Sequence, residues 1–392
     1  MSIEVRPVGV KCNIGCQYCY QNILRDAGWE ADDRTDLNAI KAAIAERDEP
    51  FHLFGGEPLL MREDKLVELL RWGHERYGAN MIQTNGSLIR PRHVAFFRAY
   101  NAKIGISIDG PDALNDARWA GTLEKTRAAT ADSIAAIHLL CKELEPPSLM
   151  VQLTRCNATG ERLERLCEWL VEMHHLGVSK ARIHILEIDD PQVRERFGLC
   201  PEENIAAFAR IMRLRREWPD FYLDCNSDKR EMLMMQDEDA ACVWRGCDPH
   251  FTEAVQGLGA KGEAHKCGLT DKEGVNFERS DSQSFVRYVA LAHTPQEFGG
   301  CSGCRFFFAC KGQCPGTGIQ GDWRNRTENC EVFKELFALA ERELVEEGRT
   351  PASLHPKRER VEQMLVSAWS RGENPDLSHL RKELQLDLGP PL

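Results

Sequence analysis

The sequence predicts an α/β protein: a partial, open (β/α)6 barrel, then a small cysteine-rich α+β domain, then a helical C-terminus. Three observations carry this. Short apolar runs alternate with longer stretches of helical period through the first 200 residues. Cysteines and glycines crowd residues 241–330, and amphipathic sequence without strand-like runs fills the remainder. The expected boundaries are 1–200 for the barrel, 201–240 for a bridging region, 241–335 for the cysteine-rich domain and 336–392 for a helical extension and tail.

The apolar runs lie at 3–10, 51–54, 80–84, 103–108, 148–154 and 182–188. Between them are segments such as 62–77, where Leu66, Leu69, Leu70 and Trp72 recur at helical spacing. Parallel neighbours need a long return connection, so six such units imply parallel strands with crossover helices. The product is TIM-like but not closed, with functional loops at the C-terminal ends of the strands. Beyond it the sequence reads as helix (201–217), extended (221–224) and helix again. Residues 241–330 carry too little apolar material for a large core, so metal ligation is expected to supply folding energy. A helix is predicted over 328–347, with Phe333, Leu336, Phe337 and Leu344 on one side. Another amphipathic stretch surrounds Val361, Met364, Leu365 and Trp369, ahead of a charged tail.

Composition excludes several classes. With 42% apolar and 28% charged residues the chain is that of a soluble globular protein. No window resembles a membrane span, and the N-terminus lacks a signal core, so a cytoplasmic protein with no membrane partner is expected. The net charge of −11 argues against a general phosphate-backbone binder, and no nucleic-acid partner is expected. Sixteen cysteines without a secretory signal should be reduced, and available for metal, catalysis or burial. Eleven have ligand-like spacing; Cys141, Cys156, Cys167, Cys200 and Cys225 are scattered, as small buried hydrophobes are.

At the end of the first run stands Cys12-Asn13-Ile14-Gly15-Cys16-Gln17-Tyr18-Cys19-Tyr20. Three cysteines spaced CxxxCxxC on one loop wrap a cubane cluster and leave one iron without a protein ligand. Chemistry on a bound molecule requires such an open position. Zinc competes, but no nearby fourth Cys or His closes a tetrahedral site. The motif, with aromatic Tyr18 before the third cysteine, resembles the signature of the radical S-adenosylmethionine (SAM) superfamily. Supporting segments follow in family order. Gly55-Gly56-Glu57-Pro58 resembles the segment that binds the SAM amino group; glycines let backbone approach a ligand, and a carboxylate suits an ammonium. Thr84-Asn85-Gly86 and Ser107-Ile108-Asp109-Gly110-Pro111 resemble segments lining the SAM pocket, though both also read as plain turns. Asn115-Asp116, Arg118 and Gly121-Thr122 echo the next family stretch, where Thr122 and Arg155 are candidates for the SAM carboxylate. The resemblance implies that a [4Fe–4S] cluster chelates SAM and cleaves it reductively to a 5′-deoxyadenosyl radical, which abstracts hydrogen from an unactivated C–H bond.

Cys301, Cys304, Cys310, Cys314 and Cys330, with Cys247 and Cys267 upstream, resemble the seven-cysteine signature of the SPASM domain. Cys242 stands near where an eighth ligand occurs. The resemblance implies two auxiliary [4Fe–4S] clusters, three in all: Cys242, Cys247, Cys267 and Cys314 for the nearer, and Cys301, Cys304, Cys310 and Cys330 for the farther. Without Cys242 one auxiliary iron would be open. Gly257-Leu258-Gly259-Ala260-Lys261-Gly262 matches GxGxxG, but no helix pattern opens after it. It reads as a glycine-rich hairpin between extended runs 251–255 and 263–266 that presents Cys267. His250 and His265 flank cluster ligands and are better read as hairpin residues than as ligands.

Enzymes with full SPASM domains mostly modify peptides or proteins. The resemblance therefore implies, first, a maturase that changes a side-chain or Cα bond in a ribosomally made precursor peptide. A flavodoxin- or ferredoxin-type reductant would serve it. Cys12 lies too near the start for a preceding leader-recognition domain, so a separate recognition protein or residues 336–392 are expected to hold a leader. Sulfatase-type maturation ranks lower: in those enzymes an aspartate, the proposed base, follows the cysteine aligned with Cys267, and here Gly268 stands there. A peptide epimerase would need a thiol hydrogen donor, for which Cys225, Cys200 and Cys156 are the spare cysteines. A small-molecule dehydrogenase and a redox-sensing cluster protein complete the alternatives; no base or hydrogen donor is assigned.

Overall fold

The computed structural model describes residues 3–28, 35–187, 190–238, 240, 242–248, 250–252, 256–270, 284–390 and 392. Nine strands form one sheet: β1 (Ile3–Val5), β2 (Phe51–Leu53), β3 (Asn80–Thr84), β4 (Ala102–Ser107), β5 (Ser148–Gln152), β6 (Lys180–His184), β7 (Tyr222–Leu223), β8 (Gln256–Leu258) and β9 (Ala264–His265). Their order is β7-β6-β5-β4-β3-β2-β1-β8-β9. Neighbours from β1 to β7 are parallel, as the crossover helices require. The sheet does not close, so this is a partial (β/α) barrel, as expected.

Period-two alternation places the core. Ile3, Val5, Leu53, Ile82, Ile106, Leu149, Val151 and Ala181 are almost fully buried on one face. Each buried Val, Leu or Ile among them contributes roughly 1.5–3 kcal/mol. Helix Glu63–Tyr77 covers part of that face with Leu66, Leu69 and Leu70, and ends at Gly78, whose φ of 78° no other residue type adopts as cheaply. The alternate positions, including Glu4, Arg6 and His52, lie on the opposite face.

The first strand is shorter than its apolar run. It stops at Val5 because Pro7 has no N–H to donate and Gly9 turns the chain at φ 59°. The extended residues near 222 form a seventh parallel strand on β6. The glycine-rich hairpin also joins this sheet: β8 pairs in parallel with β1, and antiparallel with β9. Phe251 and Thr252 are not extended, and residues 253–255, like Ile188 at the end of the sixth run, lie outside the described residues. The strand begins at Gln256, and Gly257 pairs closely because a Cβ there would meet His265 O at 3.0 Å.

The chain divides into two compact units, Met1–Leu223 with Val255–Asn276, and Asp224–Ala254 with Phe277–Leu392. The second is built of helices and turns. Helices Asp224–Leu233 and Cys330–Glu346 pack together, and buried Arg230 reaches Glu347 at 2.6 Å and Glu343 at 3.6 Å. Buried Arg287 donates to the carbonyls of Trp323, Lys311, Gly312 and Asn325, tying turns that have few apolar contacts of their own. Helix Arg358–Trp369 ends with Trp369 against Tyr288, ring centroids 5.0 Å apart. Among the described residues no helix is long and apolar enough to cross a membrane.

Candidate functional site: a cysteine loop over the barrel

The loop that follows β1 is held from outside itself. Gly15 N–H donates to Trp119 O at 2.6 Å, Gln17 N–H to Ala117 O at 2.8 Å, and Glu57 N–H to Lys11 O at 2.7 Å. Tyr18 donates its hydroxyl to Asp109 Oδ2, while Asp109 Oδ1 accepts from Arg118 Nη2 at 2.9 Å and Gln152 N–H at 3.0 Å. Asp109 is fully buried, so both its oxygens are spent in positioning the loop. Burial works against the charge on Arg118, but Asp109 outweighs it and holds the guanidinium protonated. Asn85 Nδ2 lies 2.9 Å from Asn13 Oδ1 and 3.9 Å from Cys12 Sγ, which makes it a neighbour of the first thiol.

Cys12, Cys16 and Cys19 are all reduced. Burial pushes the Cys16 thiol up to about 12; Arg118 opposes this, and Cys19, Cys12 and Asp109 add to it. Burial raises Cys12 as well. Such thiols keep their protons at neutral pH unless a metal takes the proton's place. Three thiols on one loop with no fourth fit a cluster that keeps one iron open. Among the described residues no three His, Cys, Asp or Glu side chains converge on a single ion.

Gly55 and Gly56 sit beside the loop with φ of 75° and 54°. Neither position has room for a side chain: a Cβ on Gly56 would strike Lys11 O, and one on Gly55 would lie 2.5 Å from Arg6 Cγ. Glu57 caps the short helix Pro58–Leu60 by accepting from Leu59 N–H. It also accepts from Thr84 Oγ1 at 2.7 Å and Asn85 N–H at 2.8 Å. Its carboxyl is raised by burial in spite of these bonds. The carboxylate therefore clasps β2 to β3, and the surface of this segment that remains for a ligand is backbone. Ser107 Oγ accepts from Gln83 Nε2 at 2.8 Å on the barrel face.

The structure thus joins Cys12, Cys16, Cys19, Tyr18, Gly55, Gly56, Glu57, Pro58, Asn85 and Asp109 into one neighbourhood. It gives Thr122 and Arg155 local partners instead. Thr122 is the exposed N-cap of helix Leu123–Glu143, accepting from Lys125 N–H, and exposed Arg155 donates to Glu195 O and lies 3.8 Å from Glu203. Two buried residues escaped the sequence reading. Arg6 and Gln21 flank the glycine pair, Arg6 beneath Gly55 and Gln21 accepting from Gly56 N–H at 3.1 Å. The available signal was Glu4 and Arg6 alternating with Ile3 and Val5 on β1.

In the second unit Cys301, Cys304, Cys310 and Cys330 line one cavity with Phe306, Phe307 and Phe337. Burial pushes Cys310 up to about 12, with Cys330 and Cys304 adding to it, and Cys301 rises from burial and from the other three. Four thiols around one space fit a fully ligated cluster. Cys242, Cys247 and Cys314 belong to this unit and Cys267 to the first. The His250 ring packs tilted, at 57°, against Trp323 with centroids 4.7 Å apart, and His265 lies 3.6 Å from Glu263. Of the spare thiols, Cys225 is buried, Cys200 caps helix Pro201–Glu217, and Cys156 packs beside Tyr18, Ala117 and Phe197.

Comparison with known proteins agrees with this geometry. The family model of the Radical SAM superfamily matches residues 7–170. A serine-type anaerobic sulfatase-maturating enzyme of Klebsiella pneumoniae is 33% identical over 339 residues, covering 80% of this chain and 81% of its own. The solved structure of native anSMEcpe with bound AdoMet and Cp18Cys peptide aligns with TM-score 0.68 at 16% identity, over 88% of this chain and 98% of that one. Streptococcus suis SuiB bound to precursor peptide SuiA aligns with TM-score 0.52 at 14% identity, over 84% and 75%. With its cysteine loop, its open parallel sheet and its second set of thiols, this chain belongs to the radical SAM superfamily, among the enzymes of SPASM type.

Proposed function

We propose that this enzyme is a maturase that alters a C–H bond in a ribosomally made peptide, forming a crosslink or changing another side-chain or Cα bond. When bound, the [4Fe–4S] cluster and SAM supply the 5′-deoxyadenosyl radical. Cys12, Cys16 and Cys19 would hold that cluster, and the backbone of Gly55–Gly56, together with Asn85 and Ser107, would line the SAM pocket. The chain's own work is positional: Asp109, through Tyr18 and Arg118, fixes the loop, and the glycine pair admits a ligand against bare backbone. Cys301, Cys304, Cys310 and Cys330 would hold a farther auxiliary cluster, and Cys242, Cys247, Cys267 and Cys314 a nearer one. A flavodoxin- or ferredoxin-type protein would supply electrons.

One observation favours a precursor peptide over a sulfatase. A side chain on Gly268 would strike the Tyr20 ring and stand 3.1 Å from Arg6 Nη2. Where sulfatase maturases carry an aspartate this chain has no side chain, and one added there would crowd Tyr20 and Arg6. The second reading, formylglycine formation, is supported by the Klebsiella pneumoniae relative and its coverage of most of this chain. One assay separates the two readings. The reconstituted enzyme is incubated with SAM, reductant and either the precursor peptides encoded beside its gene or a sulfatase-type peptide bearing Ser or Cys. Two hydrogens lost from a precursor, with substrate deuterium appearing in 5′-deoxyadenosine, is the expected result. Formylglycine in the sulfatase-type peptide, with every precursor unchanged, would overturn it.

A further inference from the structure

Arg6 is a buried cation whose Nε and Nη2 lack a hydrogen-bond partner, with the buried Glu4 carboxyl near enough to feel its charge. It follows β1 on the barrel face, is 7% exposed, and its backbone N–H pairs with Leu258 O of β8. Its side chain runs beneath Gly55, and Nη2 reaches the bare Cα of Gly268. Nε and Nη2 are both buried without a hydrogen-bond partner. Leaving a guanidinium in that condition costs several kcal/mol in a protein interior, so the position is held for a reason other than stability.

A second set of donors lies alongside. Gln21 is 3% exposed; its Oε1 is used by Gly56 N–H, and its Nε2 is buried without a partner. The methylene stem of Arg6 lies under Gly55 and Gln21 accepts from the adjacent Gly56 N–H, so both side chains border the glycine pair. Tyr20 meets the same point above Gly268 as Arg6 Nη2 does. The neighbourhood therefore offers a positive charge and unused N–H donors; among the described residues Glu4 feels that charge but no carboxylate is hydrogen-bonded to these donors. The complementary ligand is planar and anionic with two acceptor oxygens, which a guanidinium edge matches in bidentate fashion.

We propose that Arg6, supported by Gln21, is a carboxylate anchor beside the glycine pair. The carboxylate comes either from an acidic side chain or C-terminus of the peptide, an arm that rests on the peptide-maturase reading, or from SAM itself. Where sulfatase maturases place a protein carboxylate, this chain has Gly268 and a cation, so the acid is brought by the ligand.

The test uses the reconstituted holoenzyme and its Arg6→Met and Arg6→Lys variants, with binding read by equilibrium dialysis. The probes are SAM and two pooled libraries of capped octapeptides that differ only in a central Glu or Gln. Removing one partner of a buried, hydrogen-bonded charge pair weakens binding by ~30-fold or more. For a peptide carboxylate, wild type prefers the Glu library, and Arg6→Met abolishes the preference while SAM affinity stays. For the SAM carboxylate, Arg6→Met weakens SAM by that factor and the libraries do not discriminate. Arg6→Lys should recover part of either loss. In both cases ligand-free Arg6→Met should melt no lower than wild type, because an unpaired buried charge is gone. Unchanged SAM affinity together with no Glu preference in wild type, or an effect confined to the cluster spectra, would overturn the anchor. The peptide-maturase reading fails separately, when wild type leaves every precursor unmodified.

Discussion

In the loop 12–19 three thiols sit within eight residues, and bonds from Trp119, Ala117, Asp109 and Asn85 brace the loop from the barrel. In the segment 301–330 five cysteines are spread over thirty residues of short helices and turns, and four of them line one cavity. The first region is braced by the barrel and brings three thiols together on one loop. The second brings four thiols together against buried Phe306, Phe307 and Phe337. Three thiols in one and four in the other fit the proposed division between an open cluster that acts on a bound molecule and a fully ligated auxiliary one.

Replacing Cys301, Cys304, Cys310 and Cys330 together by alanine should sharpen this contrast most. The second unit should lose protease resistance as well as iron, whereas the triple Cys12, Cys16 and Cys19 variant should lose SAM cleavage completely and keep the wild-type digestion pattern. Iron analysis and limited proteolysis of both check the pair. Equal proteolytic sensitivity in the two variants would break the comparison.

The bracing itself can be tested by Asp109→Asn. That change leaves buried Arg118 without its anion and weakens the Tyr18 contact, so about 3–5 kcal/mol of stability should be lost. Urea unfolding measures the loss, and a cluster released faster to a chelator would show that the brace also retains iron.

A smaller effect concerns the barrel face. Burial lowers His52 to about 4, aided by Arg182, while Glu4 Oε1 stands 3.9 Å from its ring. The unfolded chain titrates near ~6.5, so the unfolded state takes up the proton first and stability falls as pH drops from there toward about 4. His52→Gln should flatten that limb by at most ~1.4 kcal/mol per pH unit, read from urea midpoints across the window.

Much of the barrel was legible because its physics is periodic. Runs such as 80–84 show apolar residues where parallel strands need them, and the helix at 201–217 matches Pro201–Glu217 because Pro, an acidic first turn and a basic last turn mark both ends. The cysteine loop was legible because ligand spacing is local. The hairpin's place was not: Gly257 and Gly259 carry no side-chain pattern, and pairing with β1 is decided some 250 residues away in sequence. Arg6 was passed over inside an apolar run, and the three hydrogen bonds that Glu57 accepts could not be read from sequence, because their donors lie on separate segments.

The partnership of β8 with β1 sets a clock on synthesis. Once β2 emerges from the ribosome, β1 has one neighbour, but its other edge waits until Leu258 has been made, well after Leu223 completes the seventh strand. At 5–20 residues per second that interval lasts roughly 2–7 s. Throughout it the strand that leads into the cysteine loop keeps an unpaired edge, the kind of surface that recruits stray chains. Any shortened gene that stops after the seventh strand makes that interval permanent. Expression of such a fragment should then depend on chaperone supply and temperature far more than expression of the whole chain does.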